Sequence, residues 1–389
     1  MRVLLITTPV STHLTPLVPL AWAIRAAGHE LLVAGRTDVM AAAASAGLNA
    51  VELGGPMNVD EKLAGRLAPG LRPLESGPRP DLELLTNIGR LWMPATLEAL
   101  PQYLEVARRF APDLIVADTL EYLSLLLGEE LGIPVVHHRW GVDPVSGQAR
   151  TAGRDGLREA YERLGLTDLP DPTLLLDPCP PSLQLPDIAP GAPIRFVPFN
   201  GNGAMPEWLR DSRAGGDGRK RVVVSLGGRT IEYNGEGLFR HLVEAFDRLP
   251  DVDAVVTVQP EYHAALGPLP ANVRLVEPAP LTFLLDSCAA VVHHGGAGSA
   301  MTATRYGLPQ LVLPQVVDQF WCAEQLAGAG AALALDDAAA QDDPARVSEA
   351  VRDLLDDPRY AKAAGELGTE MAGMPSPARV VADLEQLTR

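Results

Sequence analysis

The sequence predicts an α/β protein made of two doubly wound parallel sheets. Three observations carry that reading. Short apolar runs rich in β-branched residues alternate with helix-length amphipathic segments. The alternation stops at a polar, glycine-rich stretch, Leu209–Lys220, and then restarts. In the second half, strands feed directly into glycine turns that open helices. At 389 residues the chain has length for two domains of ordinary size.

Taken in order, Val3–Thr7 is a buried strand. Thr15-Pro16 starts a helix, threonine capping and proline in the first turn, and Leu17, Leu20, Ala21 and Ile24 recur at helical spacing until Gly28. Leu31–Ala34 is a strand and Asp38–Ala46 a helix. Gly54–Pro80, rich in proline and glycine, reads as an irregular, mobile loop. Leu82–Phe110 is mostly helical, Asp113–Ala117 is a strand ending at Asp118, Glu121–Leu131 a helix and Val135–His138 a strand. Tyr161–Leu164 is a short helix, proline-crowded Asp168–Pro193 wanders over the surface, and Arg195–Val197 returns to strand. Beyond Leu209–Lys220, strands are expected at Val222–Ser225, Ala254–Val258, Val273–Val276, Ala289–Val292 and Gln310–Leu313. Helices cover Glu236–Leu249, Val347–Leu355, Ala361–Met371 and Pro377–Thr388. Two halves of this kind imply two Rossmann-like domains facing a cleft.

Composition excludes several classes. A net charge of −17 without any basic block argues against nucleic acid and anionic membranes as partners. Apolar runs are strand-length, far below the ~20 residues of a membrane span, and Met1–Ile6 is too short for a signal peptide core. Cys179, Cys288 and Cys322 show neither disulfide pairing nor metal spacing, so a reduced, cytoplasmic protein is expected.

The densest chemistry lies at His293-His294-Gly295-Gly296-Ala297-Gly298-Ser299. A strand, a glycine turn and a helix start form an anion site, because outward N–H groups and the helix dipole converge there. His294 is placed to donate to a phosphate, and Gly296 and Gly298 to offer backbone. Ser299 would add a hydroxyl, although it serves equally as a plain cap. Ser225-Leu226-Gly227-Gly228-Arg229 is a second such turn, with Arg229 open between phosphate contact and surface charge. Each turn serves equally as a plain tight strand exit. Asp251 and Asp253 mimic the acidic pair of metal-dependent sugar transferases, but lie far from these turns in sequence, so no metal is expected.

The ordered set HHGGAGS, TATRYGLPQLVLP and DQF resembles the donor-binding segment of nucleotide-sugar glycosyltransferases of the GT-B fold, glycosyltransferase family 1. Within it, the chain is similar to actinomycete enzymes that glycosylate polyketides with dTDP-deoxysugars. RWGVDP, LDPCPPSLQ and VPFNG narrow the resemblance to angucycline-type C-glycosyltransferases. It implies an inverting, metal-independent transfer with no cofactor beyond the dTDP-sugar co-substrate, onto an aromatic polyketide acceptor. It places Asp318 and Gln319 on sugar hydroxyls and the nucleotide base near Ala279-Pro280-Leu281.

The resemblance makes His13 the base that deprotonates the acceptor, with Asp118 behind it. Asp143 is a second candidate base, and Trp140 and Arg139 are expected to line the acceptor pocket. A C-glycoside is the expected product, with O-glycosylation as the near alternative; a nucleotide-sugar epimerase or a non-catalytic helper are remoter ones. The expected organisation is an acceptor domain over 1–208, a linker over 209–220 and a donor domain over 221–375. The segment 376–389 is expected to cross back to the N-terminal domain. A homodimer is left open.

Overall fold

The computed structural model describes residues 1–65, 71–76, 79–212, 218–228 and 230–389. It divides into two units, one of Met1–Glu61, Pro80–Phe199 and Gly373–Arg389, the other of Lys62–Arg79 and Asn200–Ala372.

The first unit is built on a parallel sheet of seven strands: β1 (Arg2–Ile6), β2 (Glu30–Gly35), β3 (Ala50–Glu52), β4 (Leu114–Asp118), β5 (Val135–His138), β6 (Leu174–Asp177) and β7 (Ala192–Pro193). Their order is β3-β2-β1-β4-β5-β6-β7. Helices cover both faces of such a sheet, which is why the central strands read as unbroken apolar runs rather than alternating ones. Pro193 is tolerated because β7 is an edge.

The strand expected at Arg195–Val197 does not form. The Arg195 N–H goes to the carbonyl of Pro375, 2.7 Å away, and its Nε to that of Met374. These bonds fasten the final segment to this unit. Ser376 caps the helix Pro377–Leu387, whose Val380, Val381 and Leu384 pack in one core with Leu17, Leu20 and Ile24.

The second unit holds a parallel sheet of six strands: β8 (Lys220–Ser225), β9 (Val252–Thr257), β10 (Val273–Val276), β11 (Ala290–His293), β12 (Gln310–Val312) and β13 (Ala332–Ala334), ordered β10-β9-β8-β11-β12-β13. Two features shift the expected boundary. Leu209, assigned to the linker from sequence, is fully buried in the second core with Leu284 and Leu285. Residues 213–217 of that linker lie outside the described residues. The other feature is Arg72, only 9% exposed, which donates from Nε to Asn234, from NH2 to Gln341 and from NH1 to Asp342. A guanidinium loses too much hydration to be buried without such partners. This arginine therefore anchors its segment on the second unit, in the stretch read from sequence as an irregular, mobile loop.

Both sheets share one logic. Strand order reverses between β1 and β4 in the first, and between β8 and β11 in the second. Loops leaving the carboxyl ends of strands diverge at such a switch point and open a crevice for ligands. Among the described residues no helix is long and apolar enough to cross a membrane.

Candidate active site

At the first switch point, the chain leaving β1 carries Thr7 and Thr8 and then the helical turn Ser11–Leu14, which holds His13. The chain leaving β4 presents Asp118. Its Oδ2 accepts from the Thr8 N–H at 2.6 Å and from the Thr8 hydroxyl at 3.1 Å, while Oδ1 accepts from the Leu120 N–H at 2.9 Å. Burial pushes the Asp118 carboxyl up to about 6, and the bonds from Thr8 and Leu120 oppose that rise. His13 Nδ1 is 2.5 Å from the same Thr8 hydroxyl. Trp140 lies against the imidazole, ring centroids 3.8 Å apart. The histidine, tryptophan and carboxylate singled out from sequence are thus one cluster.

Asp143 and Arg139 belong elsewhere, and their expected roles need correction. The Arg139 side chain is 2% exposed; its Nε donates to Asp143, NH1 to Asp177 and NH2 to the Ala189 carbonyl. Asp143 also accepts from the N–H groups of Val145 and Ser146 and from the Ser146 hydroxyl. Both its oxygens are occupied holding a buried arginine and the start of the Ser146–Gly156 helix. A carboxylate so engaged is a structural anion, not a base waiting for a phenol.

At the second switch point, β8 ends at Ser225 in register with His293 of β11. The two adjacent histidines divide their tasks. His293 is fully buried, with Nε2 bonded to Gln310 Oε1 at 2.7 Å and Nδ1 accepting from the Gly295 N–H at 2.9 Å. It shapes the turn and is not available to a ligand. The His294 ring lies between the two glycine turns. A Cβ on Gly296 would come within 2.4 Å of its Nε2, and one on Gly227 within 2.9 Å of its Cε1. Both positions need glycine because the imidazole fills the space.

Nδ1 of His294 is enclosed without a hydrogen-bond partner. Burial first, then the neighbouring His293, push its pKa down to about 3, so the ring is neutral at physiological pH. It offers a hydrogen bond but no charge. Positive potential must come from the start of the Ala297–Arg305 helix. There the N–H groups of Ser299 and Ala300 turn back to the Gly296 carbonyl, whereas those of Ala297 and Gly298 have no partner among the described residues. Gly296→Ala is expected to destabilise the protein by about 1–3 kcal/mol, since the added methyl is forced into space that the His294 ring fills. Thermal unfolding of the variant beside wild type checks this.

Gly295 completes the arrangement. At φ 88 its Cβ position lies 2.9 Å from the Gln319 carbonyl, so the glycine turn rests on the start of the Gln319–Gly328 helix. Gln319 Oε1 accepts from the N–H groups of Gln315 and Val316. Between them Val317 adopts φ 44, a left-handed conformation costly for a β-branched residue. Asp318 stands at the N-cap position without capping the helix through its side chain.

Of the remaining expected residues, Ala279 lines a groove of about 540 Å³ with Pro280, Trp208 and Arg274. Leu281 instead turns its side chain into the core beside Val223, so that side chain does not face a nucleotide. Gly228 keeps open space at its Cβ apart from the Gln259 amide, 4.0 Å away. Arg229 lies outside the described residues. The acidic pair is spoken for: Asp251 is paired with Arg352 and Asp253 with Arg221. Among the described residues no cluster of three or more ligating side chains is suited to a metal ion.

The family model of the erythromycin biosynthesis protein CIII-like N-terminal domain matches residues 22–227, and that of its C-terminal domain matches 243–387. The chain belongs to this family. This CIII-like glycosyltransferase is 34% identical over 386 residues to the L-demethylnoviosyl transferase of Streptomyces niveus, covering 99% of this chain and 97% of that protein. It is 34% identical over 401 residues to the elloramycin glycosyltransferase ElmGT of Streptomyces olivaceus, again covering 99% and 97%. Among solved structures, spinosyn rhamnosyltransferase SpnG complexed with thymidine diphosphate matches with a TM-score of 0.87 at 38% identity, covering 99% of this chain and all of that one. SsfS6 of Streptomyces sp. SF2575 matches with a TM-score of 0.79 at 30% identity, covering 99% of each chain. The CIII-like enzyme accordingly has the GT-B fold. Thr8 is the residue of its site that sequence reading passed over; the signal was a Thr7-Thr8 pair closing an otherwise apolar strand.

Proposed function

We propose that the protein transfers a deoxysugar from a dTDP-sugar to a hydroxyl of an aromatic polyketide, with inversion and without a metal. What carries this reading is the second switch point: free amides at a helix start, beside a neutral histidine seated between two glycine turns. That geometry suits a diphosphate, and relatives such as the TDP-daunosamine transferase DnrS of Streptomyces peucetius support a thymidine nucleotide. Asp318 and the amide of Gln319 would contact the sugar, Ser299 and the turn at Ser225 the phosphates, and Ala279 the base. In the N-terminal unit, Trp140 would flank the acceptor.

In the reaction, His13 Nε2 takes the acceptor proton as the acceptor oxygen bonds to the anomeric carbon. The bond from that carbon to dTDP breaks, and dTDP leaves with its electrons. Single displacement inverts the centre. An O-glycoside is preferred here because the carboxylate that argued for attack through carbon, Asp143, is tied into an ion pair.

The test is incubation with dTDP-deoxysugars and a panel of aromatic polyketides, followed by acid. The expected result is acceptor-dependent release of dTDP and a product that acid cleaves. An acid-stable product would replace the O-linkage by a C-linkage. Donor turnover without any acceptor would overturn the transferase reading in favour of an epimerase.

A further inference from the structure

We infer that Thr8 is a positioning residue that sets the tautomer of His13 and links it to Asp118; this rests on the glycosyl-transfer reading above. Three distances carry it. The Thr8 hydroxyl lies 3.1 Å from Asp118 Oδ2 and 2.5 Å from His13 Nδ1, and the Thr8 N–H holds the same carboxylate oxygen at 2.6 Å.

A hydroxyl has one proton to give, and an ionised carboxylate can only accept. The Thr8 proton therefore goes to Asp118, and its oxygen is left to accept from His13. Nδ1 must then carry the imidazole proton, which leaves Nε2 as the lone pair. The polarity of this chain decides which nitrogen is basic. Without the hydroxyl, nothing in the Thr8–Asp118 link favours Nδ1–H over Nε2–H, and a histidine in the wrong tautomer is a poor base however well placed. Thr8 also sits where a strand hands over to a turn: its backbone is fixed by Asp118 and the residue is 1% exposed, so the hydroxyl has little freedom to point elsewhere.

Thr8→Val removes the hydroxyl at nearly constant volume. Asp118 keeps its bonds from the N–H groups of residue 8 and Leu120, so the carboxylate is not orphaned. Thr8→Ser retains the hydroxyl. The experiment measures kcat and the KM for dTDP-sugar in wild type, Thr8→Val and Thr8→Ser, together with the ¹⁵N shifts of His13 in ligand-free protein. Thr8→Val is expected to lower kcat about 10- to 100-fold, part of the ~10²–10⁴ that a general base supplies. Donor KM should stay unchanged and Thr8→Ser should recover most of the rate. The ¹⁵N shifts should report Nδ1–H in wild type and loss of that preference in Thr8→Val.

An unchanged kcat in Thr8→Val, equal losses in both variants, or a retained Nδ1–H tautomer in Thr8→Val would each overturn the proposal. If wild type transfers no sugar to any acceptor, the function reading fails, and the ¹⁵N comparison alone decides whether Thr8 sets the tautomer.

Discussion

Replacing His13 with alanine lowers kcat by about 10²–10⁴-fold, the range a positioned general base contributes, and leaves dTDP affinity unchanged. The split follows from topology. His13 stands at the switch point of the first sheet, while the proposed diphosphate cradle is built entirely from the second unit. A loss of dTDP binding equal to the loss of rate would refute the division of labour. The pH profile should agree. The Asp118 carboxyl is raised to about 6, chiefly by burial, so it is ionised at neutral pH and takes a proton as pH falls through 6. Once protonated it no longer stabilises a charged imidazole, and kcat/KM should decline on the acid side of that value.

The same shift has an opposite effect on stability. A carboxyl whose folded pKa is raised contributes stability below its ordinary pKa and loses it as pH rises through the folded value. Thermal unfolding of the wild type should therefore show its stability falling as pH rises through about 6, the window in which Asp118 loses its proton in the folded state.

Asp143→Ala is expected to destabilise the protein by roughly 3–5 kcal/mol, the usual result of removing one partner from a buried ion pair. Arg139 would keep Asp177 but lose the carboxylate at its Nε, and the start of the Ser146–Gly156 helix would lose the acceptor of three hydrogen bonds, from the Val145 and Ser146 N–H groups and the Ser146 hydroxyl. Thermal unfolding of Asp143→Ala and Asp143→Asn checks this. A variant that unfolds with wild-type stability but has lost its rate would restore Asp143 as a base and overturn the structural assignment.

The two sheets and the glycine turn after β11 were legible because each has a local signature. Strand, glycine pair and helix start are contiguous from Ala290 to Arg305, and neutral His294 follows from its position between two such turns. Asp143 was misread because its meaning depends on Arg139, which in turn depends on Asp177, a partner 38 residues from it. An Asp-Pro step looks the same in a turn or in a catalytic loop. Leu281 shows the same limit: which side chain of its loop faced outward required the core beneath it. The boundary was set too late because Leu209 sits in a polar neighbourhood, and an apolar residue alone gives no hint of which core it joins. Strands β3 and β13, three residues each, fall below the length at which any periodicity can be seen.

The return of residues 373–389 to the first unit has a consequence for biosynthesis. Domains tend to fold as they emerge from the ribosome, N-terminal first. Here that order is inverted at its last step: the earlier unit waits for the final segment to be translated, while the later one already has all its residues. Until then the surface later sealed by Val380, Val381 and Leu384 stays open to water. A nascent chain stalled before residue 373 should offer chaperones an apolar landing strip that the finished protein withdraws.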